Sequence, residues 1–583
     1  MVAGTNHGGA RARQMLLIRQ VCGACAGRRL LLLCLLLAHI AGCISDKPDY
    51  RDSLIAYQQN MAQRSPQRMM ELDEGPSADP LNVLRPYALP ERRIPALPST
   101  TDPTSHKEVV HLSLGQAIVR ALDNNPSIRE VSFDPEITIQ QIRQAAAEFD
   151  PAAFARANYE QQDNPINSIF QPGESDSRVV ESGLKQKLPT GTEWSAAYTL
   201  AREWDDLFGR ALATRYEPFV VFDLRQPLLR DASAAVNLAG VNIAKLSHKM
   251  AVLDFHQRTD EVVTRVVGAY WQLWQAHRDL QIDQELLDQA VSTLRKVQGR
   301  IGIDATDVQS KQAETAKVVR EASLVRARKR VRDAQDVLLA LTADPQLNLL
   351  THVEIYPTTA PAGQVEKLDE PAILRSAMLR NPRLEQARVA IEIADLNVRV
   401  AENQKLPRLD LVGSTRTQGL GGDVDEAHEP LEEGQFVSYA VGLSLEIPLG
   451  NRQRDAVLQQ RRMERRKTLA ILTDAADQVA LFVRERIRRV ETNSAEIAIQ
   501  KRAEEAARGH LQAMEQSEQM LQRLTPEFLL VKLQAQESLA AARRDLAEAI
   551  AQFNISLTEL ARTTGRVLEL HGIKTEEEQP QSK

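Results

Sequence analysis

Aromatic residues are scarce in this 583-residue chain, at 4%, and glycine contributes only 27 positions. Ala, Leu, Gln, Glu and Arg dominate instead, which is the profile of long helices rather than of a compact enzyme core, although the length would hold two or three ordinary domains. Cysteine is scarcer still, with four residues at positions 22, 25, 34 and 43. The eleven histidines include no HxxxH pair, so no metal site is expected of the protein itself. There is no GxSxG turn, no Walker loop and no dinucleotide fingerprint. Catalysis and a bound cofactor are therefore not expected, and the scattered carboxylates read as solvated helix faces.

What is present begins with an unbalanced amino-terminus. Residues 1–42 carry Arg11, Arg13, Arg19, Arg28 and Arg29 and no acidic residue, and end in the apolar block Leu30 to Gly42. At 13 residues that block is too short to span a bilayer as a helix and reads as the core of an export signal, with Met15 an alternative start. The sequence Ile40-Ala41-Gly42-Cys43 resembles the bacterial lipobox, in which the cysteine thiol is diacylated, the chain is cut before it and the new amino-terminus is acylated as well. An ordinary signal peptide is the competing reading. Ile44 rather than Asp after the cysteine fits onward export to the outer membrane by analogy with lipoprotein sorting. Either cut leaves one cysteine at most, so an internal disulfide is excluded and the CxxC at 22–25 is lost with the signal. It also removes five positive charges, taking the formal net charge from −6 to −11, which argues against a nucleic-acid partner.

Nine prolines between residues 44 and 105 exclude regular helix there and make 43–106 an extended tether. Beyond it the chain repeats itself. "AIVRALDNNPSIREV" at 117–131 is echoed by "AILRSAMLRNPRLEQA" at 372–387, and "FDLRQPLLRDASAAV" at 222–236 by "LSLEIPLGNRQRDAV" at 443–457. Two repeats follow, 107–345 and 367–567, joined by a linker at 346–366 and followed by a polar tail at 568–583. Each repeat runs short helix, helix, strands, a proline and a long helix pair. The strands fall at about 152–228 and 407–449, the helix pairs at about 231–343 and 453–565.

The strand segments alternate with period two. Tyr439, Val441, Leu443, Leu445 and Ile447 share one face, with Ser438, Ala440, Gly442, Ser444 and Glu446 opposite. In 216–227, Val220, Phe222 and Leu224 share a face. The expected partner strands are 152–160 for 216–227 and 407–417 for the second set. The first repeat also carries a hairpin signal at 179–201, with its turn at Pro189-Thr190-Gly191.

After each proline the period becomes helical, and a helix of such length has no globular core to lie on, so it must pack beside others in a bundle or barrel. The first helix pair turns at 300–309. There Gly302 suits a left-handed cap, Asp304 an N-cap and Asp307 the N3 position of a capping box. The second turns at 523–531, with Thr525 as N-cap and Pro526 at N1. Tyr270, Trp271 and Trp274 read as inter-helix packing.

Taken in order, the opening Ala117 to Pro126, Gln226-Pro227-Leu228-Leu229, Lys405 to Leu409, Tyr270 to Leu273 and Gly302 to Gln309 make residues 107–567 resemble the TolC-type outer-membrane efflux protein family. The resemblance implies a mainly α protein with a transmembrane β portion. It would be a homotrimer sharing one β-barrel, four strands from each chain, above a long α-helical periplasmic barrel. It further implies a passive conduit for efflux or type I secretion, served by a periplasmic adaptor and an inner-membrane pump. By position, Gly302, Asp304, Thr306, Asp307, Thr525, Pro526 and Glu527 would form the periplasmic tip where the adaptor docks or the tunnel closes. Leu524 stands where some relatives place a glycine. Tyr439, Val441, Leu443, Leu445 and Ile447 would face outer-membrane lipid, and Cys43 would add an anchor. The hairpin at 179–201 departs from the family pattern: it would extend the barrel, form a surface loop or sit at the equator. A periplasmic coiled-coil lipoprotein is the alternative, but it has no need for alternating strands placed between helix pairs.

Overall fold

The computed structural model describes residues 99–101, 108–347 apart from 167, 169–171, 208 and 210, then 349, 353–363, 368–520 and 525–572. The export signal, Cys43, nearly all of the tether, Leu524 and the end of the tail lie outside these residues. The described residues belong to one compact unit.

In chain order the elements are β1 (Ser99–Thr101), β2 (Glu108–Leu112), α1 (Leu114–Asn124), α2 (Pro126–Ala146), β3 (Ala152–Asp163), β4 (Glu174–Lys187), β5 (Glu193–Asp205) and β6 (Thr214–Pro227). Then come α3 (Ala234–Asn237), α4 (Ala239–Gln298), α5 (Asp307–Thr342), β7 (Val353–Pro357), α6 (Glu370–Arg380), α7 (Pro382–Gln404) and β8 (Arg408–Gln418). The chain closes with α8 (Val424–Glu433), β9 (Phe436–Glu446), α9 (Arg452–Met520), α10 (Pro526–Thr563) and α11 (Val567–Leu570). The expected order of helix, helix, strands and long helix pair thus occurs twice. At 60 and 69 residues, α4 and α9 are about 90 and about 100 Å long.

The repeated Asn-Pro corners explain how each half is held. Asn125 ends α1 and starts α2. Its Oδ1 accepts from Ser127 N–H at 2.9 Å, while its Nδ2 donates to the Leu341 carbonyl at 2.7 Å, at the far end of α5. Asn381 does the same between α6 and α7, accepting from Arg383 N–H at 3.0 Å and donating to Thr563 O at the end of α10, also at 3.0 Å. A proline next in sequence drives each asparagine out of the helical region, to ψ of 121° and 122°, and sits at N1 where its missing N–H costs nothing.

Two linker strands were not expected. β1, at the end of the tether, pairs antiparallel with β2, and β7, inside the linker, pairs parallel with β2. Tyr270, fully buried on α4, clamps this small sheet: its hydroxyl donates to Leu112 O at 3.1 Å and accepts from Thr359 N–H at 2.9 Å. Trp271 and Trp274 lie in the same core with Val263, Val266, Leu338 and Ile355, as the packing reading required.

The second sheet has the order β3-β4-β5-β6-β8-β9, antiparallel throughout. It corrects two expectations. The strand at 152–160 does not pair with 216–227; it pairs with β4. The hairpin at 179–201 is neither a surface loop nor an equatorial piece, because β4 and β5 stand between β3 and β6. The sheet therefore has six strands rather than the four implied by the resemblance. The physical reason is a turn built into the sheet's lower end. Gly191 has φ +89°, and a Cβ there would come within 2.3 Å of the Asp231 carbonyl, so only glycine lets the turn seat against the β6–α3 bend. Leu188 N–H bonds Thr192 O at 2.7 Å, and Thr192 Oγ1 bonds Gln226.

Candidate functional site

Two regions bring the predicted residues together: the faces of the six-stranded sheet and the ends of the long helices.

The register assigns every strand residue to a face. Pairing aligns Leu184 with Ala196, Ala196 with Phe222, Leu224 with Gly413 and Leu411 with Leu443. One face therefore carries Ala153, Ala155, Ala157, Val180, Leu184, Leu200, Val220, Phe222, Leu411, Val441 and Leu443 across all six strands. Tyr439, Val441, Leu443, Leu445 and Ile447 lie on this face or just past its end, and are 59–85% exposed. The opposite face is charged. Arg225 bonds Asp410 at 2.9 Å and Glu193 at 3.1 Å, Arg408 bonds Asp410 at 2.8 Å, and Arg215 bonds Asp205 at 2.8 Å. A hollow of about 850 Å³ opens on this charged side, lined by Lys185, Lys187, Glu193, Asp223, Arg225 and Ser414 among others. The sheet is thus a plate, apolar on one side and ionic on the other, where the hollow opens. No helix among the described residues is long and apolar enough to cross a membrane.

Where β8 and β9 connect, α8 folds back on the sheet, and His428 Nε2 lies 2.8 Å from Tyr198 Oη. Sequence reading missed this helix, which lies inside the span 407–449 assigned to strands.

At the other end of the molecule, the two helical turns meet. Val297, Ala305 and Ala313 of the first turn form one apolar cluster with Leu529 of the second, flanked by Phe528 and Leu533. The capping assignment in the first turn needs correcting. Thr306, not Asp304, is the N-cap of α5, and Gln309, not Asp307, closes the capping box: Gln309 N–H reaches Thr306 Oγ1 at 3.4 Å and Thr306 N–H reaches Gln309 Oε1 at 2.6 Å. Asp307 is the first helical residue, where its charge suits the helix dipole. Asp304 instead accepts from Arg300 Nε at 2.8 Å, a bond that holds the guanidinium firmly protonated. Gly302 takes the left-handed conformation expected of it, with φ +87°. Thr525 caps α10 through Phe528 N–H at 3.2 Å, with Pro526 at N1 and Glu527 in the first turn. Exposed Ile301 and Ile303, at 49% and 83%, crown the first turn.

Sequence reading also missed the polar ties behind the tip, because their partners come from helices far apart in the chain. Glu518 pairs with Lys532 and lies 3.8 Å from Lys296. Arg320, buried, donates to Gln536 Oε1 at 3.0 Å and Leu533 O at 3.2 Å. Asp283 receives Arg544 at 2.8 Å and Arg330 at 3.4 Å. Higher on α4, burial raises the Asp260 carboxyl to about 7 against the pull of Arg562, and raises Asp279 to about 6 against Arg330 and Arg544. No group of three or more His, Cys, Asp or Glu among the described residues could hold a metal ion.

Residues 373–566 match the outer membrane efflux protein family. No curated protein matches the chain by sequence. Solved channels share its fold. The outer membrane channel CmeC of Campylobacter jejuni is 14% identical, with 78% of this chain and 86% of that one superposed at a TM-score of 0.56. The outer membrane protein VceC of Vibrio cholerae is 16% identical over 78% and 96% of the two chains, at 0.55. The open state of the outer membrane channel MtrE from Neisseria gonorrhoeae is 17% identical over 78% and 89%, at 0.55.

Proposed function

We propose that this chain, which carries an outer membrane efflux protein domain on the fold of the outer-membrane channels, is the outer-membrane component of a tripartite efflux or type I secretion system. One observation carries the reading: a sheet with an apolar outer face and an ionic inner face stands above helices about 90 Å long or more. A periplasmic coiled-coil lipoprotein would have no use for such a plate.

Backbone edges cannot face lipid unpaired, and one open sheet cannot close on itself. The chain therefore works as a homotrimer, strands from three chains forming one barrel and the helices one periplasmic tube. Tyr439, Val441, Leu443, Leu445 and Ile447 face outer-membrane lipid. Arg225, Asp410 and their neighbours line the water-filled passage. Cargo moves through passively, with energy and choice of substrate supplied by an inner-membrane pump through a periplasmic adaptor. Gly302, Asp304, Thr306, Asp307, Thr525, Pro526 and Glu527 form the tip that meets the adaptor. Their shared apolar cluster supports this, since both turns can be touched by one partner. Acylated Cys43 is an auxiliary anchor at the end of the tether, because the barrel already holds the protein in the membrane.

The test is cross-linking in cells. Thr306→Cys and Thr525→Cys should each give products with the cognate adaptor. Products from the middle of α4 or α9, and none from the turns, would overturn the docking assignment.

A further inference from the structure

The hairpin β4–β5 is the feature that the proposed function leaves unused. Its residues pair along their full length: Ala152 through Asp163 of β3 each face a β4 residue, and β5 is paired with β4 and β6 on its two sides. It keeps the two-faced pattern of its neighbours. Val180 and Leu184 are exposed on the outer side, at 54% and 48%, in line with Leu200, Val220 and Leu411. Glu181, Lys185, Lys187 and Glu193 lie on the inner side, where Arg225 bonds Glu193.

The hairpin also carries its own boundary marks. Trp194 and Trp204 sit on the apolar face of β5 at its two ends. Ten residues of strand span about 33 Å, and at a tilt of about 40° the rise along a membrane normal is about 25 Å, the height of the apolar band of an outer-membrane barrel between its aromatic girdles. Level with Trp204, which Asp176 faces in the register, Arg202 and Asp176 form an ion pair at 3.0 Å on the same face, at the end remote from the helices.

The two strands at the sheet's edges are left open. β3 has 12 residues and β9 has 11. β3 leads away from the helices and β9 returns towards them, so the two fit side by side as antiparallel neighbours from different copies, with Ala153, Ala155 and Ala157 continuing the apolar face of Val441 and Leu443.

We propose that β4 and β5 are part of the membrane wall, so that three copies of this chain close an eighteen-stranded barrel, β9 of one protomer against β3 of the next. This rests on the channel reading and deepens it. At a spacing of about 4.8 Å and a tilt of about 40°, eighteen strands give a barrel about 36 Å across between backbones, against about 24 Å for twelve. The exit thus admits solutes with a cross-section that a twelve-stranded barrel excludes. The hairpin's outer face takes lipid acyl chains as its partner except at Tyr198, which meets His428 of α8.

The experiment places a polarity-sensitive thiol dye at Val180→Cys, Leu200→Cys and Val441→Cys in the full chain, reconstituted as the trimer in phosphatidylcholine vesicles with or without brominated acyl chains. The native cysteines all precede residue 44, and the parent chain supplies their background. Brominated lipid should quench all three sites by about half or more, as expected for residues on a lipid face, while aqueous iodide leaves them unchanged. Quenching by lipid at Val441 alone, with iodide reaching Val180 and Leu200, overturns the wide barrel and leaves the channel intact. Absence of lipid quenching at Val441 overturns both. Images of the trimer in lipid discs give an independent count, eighteen strands being expected and twelve refuting the proposal.

Discussion

The two halves of the chain share their helices and differ in their sheet. Both start with a helix pair bent at an Asn-Pro corner, and both corners fasten to the end of the half's last long helix. Between these marks the first half inserts four strands and the second half two. A helix in a side-by-side tube cannot gain a turn without moving every contact beyond it, whereas a sheet accepts a hairpin by moving its edge strand sideways. Growth is therefore cheap in the plate and forbidden in the tube. The corners differ in detail too. The first is backed by a buried ion pair, Arg120 with Asp344, 2% and 1% exposed; the ion pair at the second, Arg380 with Glu569 at 3.2 Å, is 53% and 44% exposed. The left-handed residue that ends α5 is Ala343, at φ +46°, and the one that follows α10 is Gly565, at φ +68°.

The strongest test of the comparison is a charge on the apolar face of each half. Leu443→Arg and Leu200→Arg should both abolish heat-stable trimers in the outer membrane, since an arginine near the midplane costs about 2–4 kcal/mol in every copy. An effect in the second half alone would separate the plate into two unlike parts. Next in size, Arg120→Ala should lower stability by about 3–5 kcal/mol by stranding the buried Asp344, and Arg380→Ala by less than about 1 kcal/mol, read as thermal loss of helical circular dichroism. Equal shifts would show that the corners carry the same load. Asp260 tests the helix of the first half through pH. Its carboxyl is raised to about 7, so the folded chain holds a proton that the unfolded one releases. Stability from this group is greatest below about pH 4 and is lost as the pH rises towards 7. Asp260→Asn should flatten that part of the profile and raise the midpoint at pH 8 by a few degrees, roughly. Smallest, Ala343→Gly should stabilise by about 0.5–1 kcal/mol through relief of the left-handed alanine. The converse change, Gly565→Ala, should destabilise by more, because its Cβ would also meet the Arg380 carbonyl at 3.1 Å.

Local signals made much of this legible. Asn125-Pro126 and Asn381-Pro382 announced corners because the proline removes the helical conformation from the residue before it. Alternation marked Tyr439 to Leu445, and the Thr525-Pro526 cap was readable because its partners lie within one turn. Thr306 shows the limit. Asp304, Thr306 and Asp307 are all capping residues within four positions, and the choice was made by Gln309, which can return a bond to Thr306 N–H when an aspartate at N1 cannot. The sheet order was illegible for a different reason. Nothing in 152–160 distinguishes a neighbour at 216–227 from one at 174–187, since both offer the same alternation. The ties of Glu518, Arg320 and Asp283 join residues from separate helices, which no spacing along one helix reveals.

The strand order has a consequence in time. Neighbours in the six-stranded sheet are neighbours along the chain everywhere except at one seam, where β6 meets β8 across about 180 mostly helical residues. The β3–β6 meander closes through short turns and is complete once residue 227 has been delivered. β8 and β9 must wait for two long helices to be made and folded back. Through that interval the meander presents its apolar face and the bare edge of β6 to water, which makes it the part of the nascent protein with most need of an escort. The insertion that widens the plate also enlarges the apolar surface to be shielded until the sheet is complete.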